Sequence, residues 1–181
     1  MTIRQYVLLP VLIFVVLDAV WSLLLRPLTN AKVFGLEAGT PLSQISIVDR
    51  LASSRSFMNY VINPPNANQR FFRYYEAFIT PKNGLCSIKA SSEEPHADQH
   101  HTYNRTDFNQ LEEILAKQYG PPTVAGSENP KAIWTNYNND RHLMGGIRSI
   151  DATFMDDGTI SVINHFGNLN ECVKEIRSSD H

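Results

Sequence analysis

Residues 6–25, YVLLPVLIFVVLDAVWSLLL, form an almost unbroken apolar run, about as long as the roughly 20 residues a helix needs to cross a bilayer. Only Asp18 is ionisable within it. An acid near mid-span costs roughly 2.5–3.5 kcal/mol, while each Val, Leu, Ile or Phe returns roughly 0.3–0.6 kcal/mol, so the apolar residues outweigh it. Pro10 falls in the first turns, where a missing N–H is tolerated, and Trp21 with Arg26 suits the far interface. The run therefore reads as an N-terminal transmembrane helix. A cleaved signal peptide is the rival reading, because Arg4 gives the run a positive flank. No small-x-small triplet closes the run and no Cys follows it to accept a lipid, which favours an uncleaved anchor. Arg4 and the free amine place the N-terminus inside, although Arg26 and Lys32 on the other flank weaken that bias. The expected arrangement puts the rest of the chain outside the cytoplasm.

With 181 residues there is room for one domain behind such a segment. Residues 1–26 are the anchor or signal peptide, 27–32 a linker opened by Pro27, and 33–181 an exported α+β domain. A hydrophobic content of 43% and a charged content of 19% are ordinary for a globular domain, which argues against disorder and against several membrane spans. The formal net charge of −2 supplies no general attraction to nucleic acid or anionic lipid, so a partner must be recognised locally.

Thr40 as N-cap and Pro41 at the first helical position announce a helix carrying Leu42, Ile45, Val48 and Ala52 at helical spacing. Aromatic and β-branched segments at 57–62, 70–80 and 85–91 follow as strands, with Pro81, Asn83 and Gly84 turning the last pair. The pattern then recurs. Asp107 with Gln110 caps a helix whose apolar face is Phe108, Leu111, Leu115 and Tyr119, and Gly120-Pro121-Pro122 ends it. Strands follow at 132–137, 147–155 and 159–166, Asp156-Asp157-Gly158 turns the last pair, and a short helix at 169–177 closes the chain. The expected fold is thus a largely antiparallel sheet of about six strands, built from two α-β-β-β-like halves.

Cys86 and Cys172 lie far apart, one in each half, and an oxidising compartment would let them pair. In a reducing one they would be two buried thiols. The segment 93–101, EEPHADQHH, is the one dense cluster of potential metal ligands, offering His96, Asp98, His100 and His101. Its spacing matches no zinc signature, so a solvated polar connection is the simpler reading, and no cofactor is expected. In 70–75, RFFRYY, basic and aromatic residues interleave. The glycines of an RNA-recognition strand are missing, so Arg70, Arg73, Tyr74 and Tyr75 read as a protein-contact stripe or a half-buried strand. Cys86 with His165 is the only thiol and imidazole pair worth naming, and no Gly-x-Ser-x-Gly elbow is present.

Several stretches taken in order carry a resemblance. They are Pro64-Pro65 leading to Phe72 and Tyr75, Thr80-Pro81 with Gly84-Leu85-Cys86 and Ile88-Lys89-Ala90, Phe108, Leu111 and Leu115 before Tyr119-Gly120-Pro121, and finally Phe166, Asn168 and Cys172. Together they resemble a family of exported proteobacterial proteins with no known activity. The resemblance implies export; the apolar run, which departs from the plain signal peptide of that family, adds a bacterial inner membrane, single-pass placement with the domain in the periplasm. The expected function is non-catalytic binding of another protein, one form being immunity against a periplasm-directed toxin by analogy alone. A metal-binding protein or metal-dependent enzyme centred on the histidine loop, and a structural part of an envelope assembly, are the alternatives.

Overall fold

The strand and turn signals resolve into a single eight-stranded antiparallel sheet in the computed structural model, which describes residues 32–53, 58–93, 103–125, 130–135 and 146–179. The strands are β1 (Ile47–Ser53), β2 (Met58–Ile62), β3 (Tyr74–Thr80), β4 (Gly84–Ser91), β5 (Val124–Ala125), β6 (Lys131–Thr135), β7 (Ile147–Phe154) and β8 (Ile160–Phe166). Helix α1 (Arg105–Tyr119) follows β4 and helix α2 (Leu169–Ser179) follows β8. The spatial order is β1-β2-β3-β4-β8-β7-β6-β5. Each half is a four-stranded meander closed by a helix, and antiparallel pairing of β4 with β8 joins the halves.

This corrects the expectation of about six strands in two α-β-β-β halves. The two additional strands are β1 and β5. The segment expected to be the first helix forms only a 3₁₀ turn, Leu42–Gln44, before the chain extends into β1. Thr40 does not cap a helix: its hydroxyl donates to the Glu37 carbonyl at 2.8 Å and accepts from the Glu37 N–H at 3.3 Å. With the cap committed to a turn, the β-branched residues Ile45, Ile47 and Val48 follow their extended preference. Strand β5 has only two residues, too few for any periodicity to register. The expected transmembrane helix has no counterpart among the described residues, where no helix is long and apolar enough to cross a membrane. The run 6–25 itself lies outside the described residues.

Helix α1 starts where a reciprocal capping box forms, three residues earlier than expected. The Asn104 side chain accepts from the Asp107 N–H at 3.1 Å, and the Asp107 carboxylate accepts from the Asn104 N–H at 3.0 Å. Its buried residues Phe108 and Leu111 enter the main core, whose sheet side comprises two cross-strand rows. One is Tyr60, Ala77, Ile88, Asn164, Ile150 and Trp134; the other is Tyr75, Ala90, Val162, Ala152 and Ala132. Trp134 donates from Nε1 to the Gly120 carbonyl at 2.8 Å, tying β6 to the end of α1.

The β3–β4 hairpin depends on a glycine. Gly84 has φ +64°, and a Cβ there would lie 2.3 Å from the Gly39 carbonyl oxygen, so the left-handed conformation and the close backbone approach both exclude a side chain. That approach lets the Gly39 N–H donate to the Leu85 carbonyl at 2.9 Å and the Leu85 N–H to the Thr40 carbonyl at 3.0 Å. The N-terminal segment of the domain is thereby pinned to the hairpin.

Candidate functional site

Because side chains alternate along a strand, the residues between the core positions point to the other face of the sheet. There a single cross-strand row runs over seven strands: Val61, Glu76, Lys89, Ile163, Asp151, Ile133 and Val124. All are half-buried or exposed. Lys89 and Glu76 are paired at 3.4 Å. The neighbouring row contains Phe78, Ser87, His165, Ser149 and Thr135. Helix α2 is the element that packs on this side, against β3 and β4.

Two β-bulges set the position of α2. On β4, Leu85 pairs with Ile79 and Ser87 with Phe78, which leaves Cys86 as the extra residue. On β7, Ile147 pairs with Phe166 and Ser149 with His165, which leaves Arg148 extra. A bulge re-aims a side chain, and both re-aimed residues bond to α2. Cys86 forms a disulfide with Cys172, and Arg148 donates from Nη1 to the Asn170 Oδ1. One turn beyond Cys172 the Glu175 carboxylate receives the Lys82 N–H at 2.9 Å and the Asn83 side-chain amide at 2.8 Å. Asn168 donates to the carbonyls of Asn83 and Leu85, at 2.9 and 3.0 Å. Covalent and polar contacts thus clamp α2 over the β3–β4 end of the face.

Between α2 and strands β7 and β8 a cleft of about 380 Å³ opens, lined by Asp151, His165 and Ser149 with Leu169 and Val173 from the helix. His165 Nε2 is 3.7 Å from Asp151 Oδ2. Burial lowers the imidazole's pKa from 6.5; Asp151 works against that shift and Arg148 reinforces it, so the ring is neutral at neutral pH. Its Nδ1 has no hydrogen-bond partner among the described residues. The Arg148 guanidinium is already engaged by Asn170. The cleft therefore offers acceptors, the Asp151 carboxylate above all, to a donor-bearing group such as a Lys or Arg side chain or an exposed N–H.

The sequence candidates fall in different places. Arg70 and Arg73 are exposed; the Arg70 guanidinium bonds Gln110 and lies 5.0 Å from the Phe71 ring centroid. Tyr74 and Tyr75 are only 5% and 4% exposed, so the four do not form one surface stripe. Tyr75 packs edge-on against Phe34 at 5.1 Å. His96, Asp98, His100 and His101 lie outside the described residues, among which no group of three or more His, Cys, Asp or Glu is placed to hold a metal. His165 sits beside Asp151, not in a dyad with Cys86, whose sulfur is in the disulfide. Sequence reasoning missed Arg148, Asp151 and Asn170. Alternation along β7 could have put Ser149 and Asp151 on its polar side, but the bulge at Arg148 has no composition signal. No family model, curated protein or solved structure matches the chain.

Proposed function

We propose that the chain is a non-catalytic protein-binding domain of the periplasm that engages its partner through the open face of the sheet and the cleft beside α2. The observation that carries this reading is the row from Val61 to Val124, in which apolar and charged residues stand side by side across seven strands and run on past the β3–β4 end that α2 covers. Mixed apolar and charged surface of that breadth suits a protein partner, whose apolar side chains cover Ile163 and Ile133 while a basic residue reaches Asp151. The Cys86–Cys172 disulfide supports an oxidising compartment, since such bonds persist outside the reducing cytosol.

Affinity purification of the full chain from solubilised envelopes tests the reading. A protein recovered in stoichiometric amount is expected with the wild type and with Glu113→Lys, a change on the exposed side of α1, and is expected to be lost with Ile163→Asp or Asp151→Lys. Recovery of no such protein, or its retention by both open-face variants, sinks the proposal.

A further inference from the structure

One polar side chain interrupts the buried face. In the row Tyr60, Ala77, Ile88, Asn164, Ile150 and Trp134, every member except Asn164 is apolar or aromatic, and Asn164 is 3% exposed. Its Nδ2 has no hydrogen-bond partner among the described residues. An orphaned buried donor is expensive and is rarely retained in a core without a reason. Nδ2 itself is closed to solvent, but the Asn164 side chain borders open space. It lines a cavity of about 260 Å³ between the sheet, α1 and the Val33–Gly35 turn, with Val162, Phe72, Leu111 and Leu115 supplying apolar walls.

The lip of this cavity is strained. Val33 and Leu36 exchange backbone hydrogen bonds of 2.8 and 3.0 Å around a tight turn in which Phe34 has φ 51° and Gly35 φ 86°. Glycine adopts such angles freely; a bulky aromatic does so at a cost, and residues of this kind cluster at ligand clamps. Phe34 is held there by edge-on packing against Tyr75 and Phe72, with ring centroids 5.1 and 5.9 Å away.

We propose that this cavity binds a small neutral carbonyl compound, an ester, ketone or lactone, whose oxygen accepts from Asn164 Nδ2 and whose short apolar body lies against Leu111, Leu115 and Val162. The walls decide for a neutral ligand over a carboxylate. Among the described residues Lys32 is the only charged one lining the cavity; its side chain is 62% exposed and pairs with Glu37 at 3.2 Å. The other polar residues of the lining, Asn66, Asn68, Gln118 and Tyr119, are neutral, so no further positive charge offsets the desolvation of an anion, whereas one amide donor suffices for one carbonyl oxygen. The site lies on the opposite side of the sheet from the proposed protein-binding face and stands independently of it.

Methyl butyrate, butyrate and butylamine form a matched set of probes, read by proton–nitrogen correlation spectra of the isotope-labelled full chain. Methyl butyrate is expected to shift the Asn164 side-chain amide pair and to do so in preference to the two charged probes. Asn164→Leu is expected to weaken its binding by roughly tenfold, the factor for one ordinary hydrogen bond. Ile114→Trp, which changes a residue 40% exposed at the cavity wall, is expected to block entry without touching the sheet, and it carries the test if the first variant does not fold. Butyrate binding as tightly as its ester, an Asn164 amide unmoved by methyl butyrate and contacted only by water, or undiminished binding by Ile114→Trp, would each overturn the assignment.

Discussion

The carboxylate of Glu175 accepts the backbone N–H of Lys82 at 2.9 Å across a sequence separation of 93 residues. It serves the hairpin turn as a cap serves a helix, taking up donors that the turn leaves over. Burial alone would raise its pKa, but hydrogen bonds from the Thr80 hydroxyl, the Lys82 N–H and both the side chain and backbone of Asn83 outweigh that and hold it below 4.5. A carboxylate with a depressed folded value contributes stability that is complete above its unfolded value and is lost as pH falls through the folded one. Glu175→Gln should therefore cost about 1–3 kcal/mol near neutrality and flatten the acid limb of a melting-temperature profile. An unchanged profile below pH 4.5 would show that the turn does not need the charge.

The disulfide holds the same helix about one turn earlier, at Cys172. Its cysteines are separated by 86 residues, and closing a loop of that length constrains the unfolded chain by about 4–5 kcal/mol in the chain-entropy model. Reduction, or Cys172→Ser, is expected to lower the melting temperature and to make α2 the first element to lose amide protection in hydrogen exchange. Equal melting curves with and without reductant would contradict this.

Much of this arrangement was legible before the structure. The apolar spacing of Phe108, Leu111, Leu115 and Tyr119 gave α1, and the turns at 81–84 and 156–158 gave both central hairpins, because each is a local signal written within one element. What escaped notice depends on partners distant in sequence. Strand β1 passed for a helix because Leu42, Ile45, Val48 and Ala52 match helical spacing, and the fate of the Thr40 hydroxyl is decided by Glu37 and the packing around it. Alternation puts Asn164 on the face of Ile160, Val162 and Phe166, but only register sets it between Ile88 and Ile150. The bulges at Cys86 and Arg148, which aim both residues at α2, are likewise products of pairing and not of composition.

The imidazole of His165 should report the state of the cleft. Its folded pKa lies below 6.5, mainly through burial, with Asp151 raising it and Arg148 lowering it. Asp151→Asn should push it lower still and Arg148→Gln should bring it up, followed through the ring proton shifts in a titration. For a histidine with a depressed folded value, the unfolded chain takes up its proton first as pH falls. His165 therefore contributes a loss of stability on acidification below 6.5 that levels off once the folded ring is protonated. An unmoved pKa in both variants would mean that neither charge is felt at the ring, and shifts of reversed sign would contradict the roles given to Asp151 and Arg148.

The sheet's first edge carries a guard against further pairing. Ile47, Val48 and Leu51 on β1 are 38%, 58% and 45% exposed, enough apolar surface to invite another strand. Two features oppose that. Register skips leave Val48 and Leu51 as extra residues that break the edge's regularity, and the Asp49 Oδ1 accepts the Arg50 N–H at 2.7 Å, so this backbone donor is already engaged within its own strand. Asp49→Val removes both the charge and the internal acceptor while adding a β-branched residue. It should make the full chain associate at concentrations where the wild type does not associate further, as followed by light scattering behind a sizing column. Asp156→Val makes the same chemical change in the exposed β7–β8 turn and should leave the elution unchanged. If the two variants associate equally, added hydrophobicity alone explains the effect and Asp49 guards nothing.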